Sequence, residues 1–496
     1  MPWWDLAWNV SLVLGVLIAV STGVSLFILP TSYSHFHPRS LSKQAFSEKD
    51  QEDAEKSGYA YFEENKNSDG RLNFEASVQV VVLGDIGRSP RMQYHALSIA
   101  QHGGIVDIIG YTGAEIHPDI LRNRMINIIA IEPLPPQLQT SNRLLFLILA
   151  PLKILHQVWS LYHAMAQRTP PSKWMLVQNP PSIPVLAICQ IVCFFRNTRL
   201  VIDWHNFGYS ILALKLGASH PLVKVSEWYE KLISSHGVHA HFTVTNAMAR
   251  VLNEKWKIHN ALPLHDRPAD IYQPLTPHSR KQLLLSLPAT KPYAQDILLG
   301  SCRLLVSSTS WTADEDFSLL LNALVHYSSS IDLASDSETP LPKILAIITG
   351  RGPQRDHYLS EIRSLTESGK LDHCLVSTAW LSPQQYAALL GSADLGVSLH
   401  TSSSGVDLPM KVVDMFGTGL PVAGWGKFEA WGELVREGEN GRGFESAQGL
   451  SEILKELFGG DGEELKRLRE GAMKETRRRW NDEWMPVAGK LFQLRA

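Results

Sequence analysis

The residues best suited to chemistry lie in segment 398–422, which reads SLHTSSSGVDLPMKVVDMFGTGLPV. Its hydroxyl-rich stretch 401–405 precedes a predicted short helix. Hydroxyl and backbone N–H groups at a helix N-terminus bind anions, and Lys411 can add a positive charge there. Asp414 lies one helical turn beyond Lys411, where a carboxylate can accept hydrogen bonds from ribose hydroxyls. The segment therefore predicts a site for a phosphate and a sugar.

Asp407 allows a simpler explanation for part of this segment. It lies four residues before Lys411, and an ion pair at that helical spacing contributes only a few tenths of a kcal/mol. Such a pair does not explain four consecutive small hydroxyl residues, 401–404, in front of a glycine. We therefore favour the phosphate–sugar site over the ion pair.

A second motif, GDIGRSPRM at 84–92, directly follows a predicted strand. At such a turn Gly84 and Gly87 let backbone N–H groups approach a ligand, and Arg88 and Arg91 offer donors suited to phosphate oxygens. A nicotinamide dinucleotide site would require a third glycine, which weakens a dehydrogenase hypothesis. A plain turn before a helix that starts with proline is the structural alternative.

The two motifs can form a site only if strands and helices bring them to the same edge of a sheet or to a shared cleft. Short β-branched runs alternate with helix-length amphipathic segments, which is typical of α/β folds with a parallel sheet covered on both faces. The predicted strands are 77–84, 104–110, 126–131, 173–178, 198–203 and 241–245, then 302–307, 343–349, 374–379, 394–399 and 420–424. We expect two Rossmann-like, doubly wound domains that face a cleft at the carboxyl ends of their strands.

The chain divides into six predicted parts. They are a transmembrane signal-anchor at 1–30, a polar tether at 31–74, an N-terminal Rossmann-like domain at 75–265, a linker at 266–297, a C-terminal Rossmann-like domain at 298–450 and a helical tail at 451–496.

The anchor prediction rests on residues 6–29, which carry no charge and can span about 30 Å of hydrocarbon. A cleaved signal peptide is the alternative, but no basic segment precedes the run. Asp5 precedes it, whereas Arg39, Lys43 and Lys49 follow it. The positive-inside rule then places the rest of the chain in the cytosol.

Composition excludes several classes of function. The 496 residues carry 46 Lys and Arg against 49 Asp and Glu, so the chain lacks the basic excess of a nucleic-acid-binding protein. Four cysteines without a CxxC pair argue against a disulfide scaffold and a structural zinc site. The apolar segments 144–159 and 183–195 are too short or interrupted to span a bilayer, and each is either a buried helix or a face that dips into a membrane.

Three segments together resemble the chitobiosyldiphosphodolichol β-mannosyltransferase family: GDIGRSPRMQYHA at 84–96, SSTSW and DEDF within 307–317, and 398–422. The resemblance covers most of the chain after the anchor and implies a GT-B glycosyltransferase on the cytosolic face of the endoplasmic reticulum. It implies transfer of mannose from GDP-mannose to GlcNAc2-PP-dolichol, with inversion to a β-1,4 bond. Asp414 matches the second acidic residue of the GT-B donor helix, whereas Asp407 lies one residue nearer than the first normally does.

The acidic triplet 314–316 has the D-x-D spacing of a divalent-metal site in the other major glycosyltransferase fold. A capping box from Thr312 to Glu315 that opens a helix explains it better. We therefore expect no metal and no tightly bound cofactor. The GDP leaving group would then be stabilised by Lys411, backbone N–H groups and either Arg351 or Arg88.

The resemblance also implies where the donor binds, with the nucleobase beside Trp380 and Leu381. The predicted donor-binding residues are Arg351, Gly352, Trp380, Leu381, Ser403, Ser404, Gly405, Asp407, Lys411 and Asp414. The predicted residues for the acceptor and its diphosphate are Gly87, Arg88, Ser89, Arg91, Gln178 and Asn179.

Inversion requires a base that takes the proton of the acceptor hydroxyl. His205 follows a predicted strand end, and Asp203 either acts with it or orients it. Asp85 and the pair Glu115 and His117 are competitors, and the sequence does not choose among them.

The predicted partners are GDP-mannose, dolichyl diphosphate chitobiose, the lipid bilayer and other mannosyltransferases of the dolichol pathway. The predicted location is the endoplasmic reticulum membrane, with a single span and a cytosolic catalytic region. Two alternatives remain open, namely a GT-B enzyme that uses a UDP-sugar and an inactive scaffold subunit tethered to the membrane.

Overall fold

A computed structural model of the protein describes residues 76–139, 142–312, 315–333 and 341–495. The predicted anchor and tether therefore lie outside the described residues. None of the helices within these ranges combines the length and the apolar content that a membrane-spanning helix needs.

The first half of the chain contains a seven-stranded parallel sheet. Its strands are β1 (Ser77–Asp85), β2 (Ile105–Tyr111), β3 (Ile126–Ala130), β4 (Trp174–Asn179), β5 (Arg199–Trp204), β6 (Ala240–Thr243) and β7 (Ala261–Pro263). They lie in the order β3-β2-β1-β4-β5-β6-β7.

Helices cover both faces of this sheet. They are α1 (Pro90–Gln101), α2 (Pro118–Arg122), α3 (Arg143–Ala166), α4 (Val185–Arg196), α5 (Gly208–Leu216), α6 (Pro221–Ser234) and α7 (Asn246–Trp256). β1 shows why the strands appear in the sequence as continuous apolar runs. Val80, Val81 and Val82 point to alternating faces of the sheet and are all fully buried. Each such side chain stabilises the fold by about 1.5–3 kcal/mol.

The second half repeats this architecture with six parallel strands. They are β8 (Cys302–Ser308), β9 (Lys343–Thr349), β10 (Cys374–Ala379), β11 (Leu395–Ser398), β12 (Val422–Trp425) and β13 (Gly441–Phe444). Their order is β10-β9-β8-β11-β12-β13.

The described helices from the connecting segment onward are α8 (Pro277–Ser286), α9 (Ala294–Leu299), α10 (Phe317–Leu333), α11 (Arg355–Glu367), α12 (Pro383–Ser392), α13 (Met410–Gly417), α14 (Trp431–Leu434), α15 (Ala447–Phe458), α16 (Glu463–Glu475), α17 (Trp480–Trp484) and α18 (Lys490–Phe492).

The structure confirms the two predicted parallel sheets and each of the predicted strands to within two residues, and it adds β7 and β13. Both added strands are short and lie at sheet edges. β13 alternates glycine with Arg442, so it lacks the β-branched run by which the other strands were predicted.

Two segments outside the sheets pack on the halves. Within 266–297, α8 packs on the second half, where the Arg280 guanidinium donates to Ser392 O at 2.9 Å. The end of the chain returns to the first half, where the Trp484 indole donates to His95 Nδ1 at 2.9 Å. The linker helix α8 therefore packs with the second half, whereas the end of the chain packs with the first.

Candidate functional site

The hydroxyl-rich loop between β11 and α13 is held in shape by its own side chains. Gly405 has φ of 76°, a left-handed conformation that favours glycine, and its N–H donates to Ser402 Oγ at 2.7 Å. The Ser402 hydroxyl donates in turn to the Asp407 carboxylate, and His400 Nε2 lies 2.9 Å from the same group. Burial alone would raise the pKa of Asp407, but the contacts from His400 and Ser402 lower it below its usual value. Asp407 therefore remains ionised and holds this loop.

Lys411 lies in the first turn of α13 and pairs with Glu315. The ion pair with Asp407 is not formed, because Asp407 is engaged by its own loop. Glu315 is only 5% exposed, and its Oε2 accepts a hydrogen bond from Thr309 Oγ1 at 2.9 Å. Glu315 thus positions the Lys411 ammonium group, while the remaining N–H donors of that group stay available to an anion.

The predicted capping box from Thr312 to Glu315 is wrong. α10 begins at Phe317, and Asp316 caps it by accepting from Ser318 N at 3.0 Å. The Glu315 carboxylate is used by Lys411 instead. Asp314 lies outside the described residues, and within the described ranges no group of three His, Cys, Asp or Glu side chains could hold a metal ion.

Asp414 lies one turn after Lys411, with its carboxyl group largely surrounded by protein. Burial raises the pKa of Asp414 to about 7, a hydrogen bond from Tyr272 opposes that shift, and the charge of Asp266 adds to it. Near neutral pH this carboxyl group is therefore divided between its two protonation states.

The turn Gly350–Gly352 and the end of β10 form a cavity of about 450 Å³. A Cβ atom on Gly352 would lie 1.7 Å from Ser310 O, so this close approach requires glycine. The Arg351 guanidinium carbon lies 3.8 Å from the centroid of the Trp380 ring. Arg351 therefore covers the exposed indole in this structure. Leu381, the other residue predicted beside the nucleobase, does not line this cavity and packs against the hydrophobic core.

Asp203 lies at the end of β5 and is fully buried. Its carboxylate accepts two hydrogen bonds from Arg91, at 2.8 and 2.9 Å, and lies 2.9 Å from His205 Nε2 and 3.3 Å from His95 Nε2. Burial would raise the pKa of Asp203, but the positive charge of Arg91 and the contact with His205 keep it well below its usual value. Asp203 is therefore an ionised group that orients His205 and leaves Nδ1 of that imidazole as its free acceptor.

Arg91 does not occupy the phosphate-binding position that we expected. It is buried, and besides Asp203 it donates to Asp266 at 2.7 Å and to Leu264 O at 3.0 Å. With its donors used in this way, Arg91 links α1, β5 and the segment that leaves the first half.

Asn206, the neighbour of His205, joins the two halves. Its Nδ2 donates to Ser403 Oγ at 3.0 Å and to Asp407 Oδ2 at 3.1 Å. Ser210 Oγ also lies 3.0 Å from Ser403 Oγ. The strand end that carries His205 therefore faces the hydroxyl-rich loop directly.

The turn after β1 is shaped by Asp85. Its carboxylate accepts from Gly87 N at 3.0 Å and from Gly113 N at 2.7 Å, and its main-chain oxygen accepts from Ser89 Oγ at 3.1 Å. Asp85 is therefore a turn-forming residue here, which weakens its candidacy as the base. Arg88 is exposed and remains the cationic side chain of this turn that could meet an anion.

A larger cavity of about 670 Å³ lies between the halves and the returning tail. Gly87, Glu115 and His117 line it on one side, and Tyr94 and Trp480 supply aromatic surface. His117 Nδ1 also accepts from Asp119 N at 3.3 Å and so caps α2. The two competitors for the base thus lie at this cavity, away from the contacts between His205, Asn206 and the hydroxyl-rich loop.

Asn179, predicted to position the acceptor, is instead buried, and its Nδ2 donates to Glu230 Oε1 at 2.7 Å. The same Glu230 oxygen accepts from Gly208 N at 2.9 Å, at the start of α5. Gln178 lies beside Asn179, and its Nε2 contacts Pro180 O at 3.4 Å. Glu230 was not predicted, although residues 223, 226, 230 and 234 share the buried face of α6 at helical spacing.

The fold of the chain is shared with solved glycosyltransferases. No family model matches the sequence. Anabaena HepE in complex with UDP is 13% identical with a TM-score of 0.57, over 84% of this chain and all of HepE. A sucrose-phosphate synthase from Thermosynechococcus elongatus is 14% identical with a TM-score of 0.57, over 84% of this chain and 98% of the synthase. At these identities the likeness shows the GT-B fold alone.

Curated relatives are far more similar in sequence. Two of those named chitobiosyldiphosphodolichol beta-mannosyltransferase show the range. The protein of Arthroderma benhamiae is 55% identical over 76% of this chain and 84% of its own length, and that of Homo sapiens is 38% identical over 82% of this chain and 90% of its own length. A protein of Arabidopsis thaliana named UDP-glycosyltransferase TURAN is 38% identical over 83% of this chain and 96% of its own length. The chain belongs to the chitobiosyldiphosphodolichol beta-mannosyltransferase family.

Proposed function

We propose that the protein transfers mannose from GDP-mannose to GlcNAc2-PP-dolichol with inversion. The product would be Man-β-1,4-GlcNAc2-PP-dolichol, the first mannosylated lipid in the assembly of the oligosaccharide for N-glycosylation. One observation supports a reaction in the cleft more than any other. Asn206 donates to both Ser403 and Asp407, so the loop that carries His205 and the hydroxyl-rich loop meet in one place.

In this proposal the donor lies on the second half without a metal ion. Lys411, held by Glu315, and the backbone N–H groups at the start of α13 meet the diphosphate. Asp414 accepts the ribose hydroxyls, and the nucleobase lies near Trp380 and Leu381. Arg351 then has to leave the face of Trp380, from which its guanidinium can turn toward the phosphates.

GDP binding should strengthen as the pH rises from 6 to 8, because the ionised form of Asp414 accepts hydrogen bonds better than the protonated one. The pKa of Asp414 is about 7, so the ionised fraction rises about tenfold over that range. Calorimetric titration of GDP into the wild type and into Asp414→Asn checks this. The β-phosphate of GDP titrates in the same range, and its contribution is common to both proteins. Equal pH dependence in the two would contradict a ribose contact by Asp414.

His205 is the base in the proposed reaction, and Asp203 is its positioning residue. Nδ1 of His205 takes the proton from the acceptor hydroxyl while the acceptor oxygen bonds to C1 of mannose. The bond from C1 to the GDP oxygen breaks, and its electron pair leaves with GDP. Lys411 and the backbone N–H groups stabilise the charge that develops there. Arg88 lies on the exposed turn after β1, where it could meet the diphosphate of the acceptor.

The proposed location is the endoplasmic reticulum membrane, with the catalytic halves on the cytosolic side. Residues 6–29 supply the single span, and the charges that flank them give its orientation. A lipid-linked acceptor supports this location, because its lipid stays in the bilayer while its sugar reaches the cleft. Other mannosyltransferases of the same pathway are the proposed protein partners.

Removal of residues 1–30 should abolish integral membrane association and spare transfer to a short-chain acceptor. The reason is that the proposed site residues all lie between positions 85 and 414, whereas membrane anchoring is assigned to residues 6–29. Carbonate extraction of membranes checks the first result, and transfer to a phytanyl acceptor in detergent checks the second. Complete loss of activity in detergent would mean that the anchor shapes the fold or the site.

The function is tested with membranes that contain the protein, radiolabelled GDP-mannose and a phytanyl or dolichyl diphosphate chitobiose acceptor. The expected product carries one mannose that β-mannosidase releases. Absence of such a product would overturn the proposal and favour an inactive scaffold.

A UDP-sugar-dependent transferase is the second candidate, because one relative is named a UDP-glycosyltransferase. The same assay separates the two candidates when unlabelled GDP and UDP compete at equal concentration. Inhibition by GDP alone supports GDP-mannose, whereas transfer from UDP-sugars at an equal rate supports the alternative.

A further inference from the structure

Exposed apolar side chains are concentrated on one side of the first half. Among the described residues, fourteen of the twenty-two large apolar side chains that are exposed lie between positions 152 and 232. They belong to α3, α4, α5 and α6 and to the segment before α4. Phe194 is 81% exposed and Trp228 is 63% exposed, which is unusual for side chains of this size. We call the exposed apolar side chains of these four helices the apolar face.

The helices of the apolar face are neighbours in space. Gln190 of α4 donates to Ile233 O of α6, and Ala187 N of α4 donates to the Tyr229 hydroxyl at 3.3 Å. Cys189 of α4 contacts Met165 of α3 through sulfur atoms 3.8 Å apart. α5 joins this group where Gly208 N donates to Glu230 of α6 at 2.9 Å, so the four helices form one packed layer.

The charge of this region differs from that of the whole chain. Residues 152–232 contain eight Lys and Arg against three acidic residues, whereas the chain as a whole has a net charge of −3. Asp203 and Glu230 are buried, so Glu227 is the exposed acid of this region. Lys215 and Lys224 are exposed beside the apolar side chains of α5 and α6. An apolar surface with a basic border matches an anionic bilayer surface better than a protein partner of mixed charge.

The apolar face begins next to the proposed base. α5 starts at Gly208, three residues after His205, and carries the exposed side chains Ile211, Leu214 and Leu216. A helix rises 1.5 Å per residue, so these side chains lie within about 15 Å of the loop of His205 along the chain axis. A surface that touches lipid here would place the cleft close to the headgroups.

We propose that the apolar face docks on an anionic bilayer surface, as a second membrane contact that is separate from the predicted anchor. Phe194, Trp228 and Leu155 enter the interfacial region, and Lys215 and Lys224 meet anionic headgroups. The consequence for a lipid-linked acceptor rests on the proposed function, whereas the docking itself does not.

Spin labels on the full-length protein in vesicles test the docking. Single cysteines replace Phe194, Trp228 and Leu155, and Leu299→Cys is the matched control because Leu299 is also 81% exposed but lies on the second half. The four native cysteines are buried and stay unlabelled in the folded protein. Collision rates with oxygen and with a water-soluble nickel complex then report the depth of each label in vesicles of phosphatidylcholine and phosphatidylserine at about two to one.

We expect the labels at 194, 228 and 155 to collide mainly with oxygen, and the label at 299 mainly with nickel. Replacement of Lys215 and Lys224 by glutamate should reduce immersion in vesicles with phosphatidylserine more than in pure phosphatidylcholine. Nickel access at 194 and 228 equal to that at 299 would overturn the proposal. Spin–spin broadening between copies at 194 or 228 would overturn it as well, because a second copy would then cover the face.

Transfer activity gives a second test of docking. The KM for a lipid acceptor in vesicles should change when docking is lost, whereas a purely structural role of the same side chain would not change this constant alone. Trp228→Glu should raise KM for a dolichyl acceptor in vesicles several-fold, leave KM for GDP-mannose unchanged, and spare a short-chain acceptor in detergent. Leu299→Glu should change none of these values. The spin-label measurement requires no turnover, so failure of the proposed function and failure of docking remain distinguishable.

Discussion

Replacement of Lys411 by alanine should remove most of the transfer activity, about 2–4 kcal/mol of transition-state stabilisation or roughly 30- to 1,000-fold in rate. Negative charge develops on the β-phosphate oxygens as GDP leaves, and Lys411 is a side-chain cation of the proposed donor site that an ion pair holds in place. Glu315 fixes it from a buried position, so the ammonium group needs little reorganisation during the reaction. Initial rates at saturating GDP-mannose measure the effect.

The matched control is Lys427→Ala, which removes an exposed lysine of the same half that pairs with Glu445 at the surface. This variant should retain wild-type activity and stability. Glu315→Gln should show an intermediate loss, because it keeps the ammonium charge but weakens its placement. A near-wild-type rate for Lys411→Ala would remove Lys411 from the diphosphate role.

Replacement of His205 by alanine should lower kcat by about 10²–10⁴-fold, the usual contribution of a positioned general base. The imidazole reaches the cleft from the end of β5, and Asp203 accepts at Nε2, so Nδ1 is left to take a proton. His205→Gln should lose a comparable part of kcat, because it keeps a hydrogen-bonding side chain beside Asp203 but has no basic nitrogen. The KM for GDP-mannose should change little.

His373→Ala is a close control for this prediction. His373 pairs with Asp332 at 2.9 Å and its side chain is 26% exposed, against 24% for His205, but it lies away from the cleft. A kcat for His205→Gln equal to that of the wild type would shift the base to Glu115 or His117. Asp203→Asn is the less clean experiment, since it breaks one of the two buried ion pairs of Arg91, leaves only the pair with Asp266, and so lowers stability as well as activity.

Residues whose role depends on local pattern could be predicted from the sequence. The strands appear as apolar runs of the right length, since both faces of a parallel sheet are buried. The hydroxyl-rich loop also follows from adjacent residues, because Ser402, Gly405 and Asp407 shape one another within a few positions. Because these residues are close together in the sequence, their spacing there already indicates which of them contact one another in the structure.

The prediction for Arg91 went wrong for the opposite reason. An arginine in a glycine turn after a strand has the local features of a phosphate ligand, yet its partners Asp203 and Asp266 lie 112 and 175 positions away. The predicted capping box at Thr312 was wrong for the same reason. The Glu315 carboxylate pairs with Lys411, which lies 96 positions further along the chain. No local pattern shows which of several acids a buried cation will reach.

The sequence by itself therefore determined the two-sheet fold, the family and the local shape of the hydroxyl-rich loop, since each depends on periodicity or on neighbouring residues. Only the tertiary structure decided that Asp203 orients His205, that Glu315 holds Lys411 and that Asn206 joins the two halves. These contacts arise where the carboxyl ends of separate strands and helices converge. Burial makes an unpaired charge or donor costly there, so the partners must be found across the fold rather than along the chain.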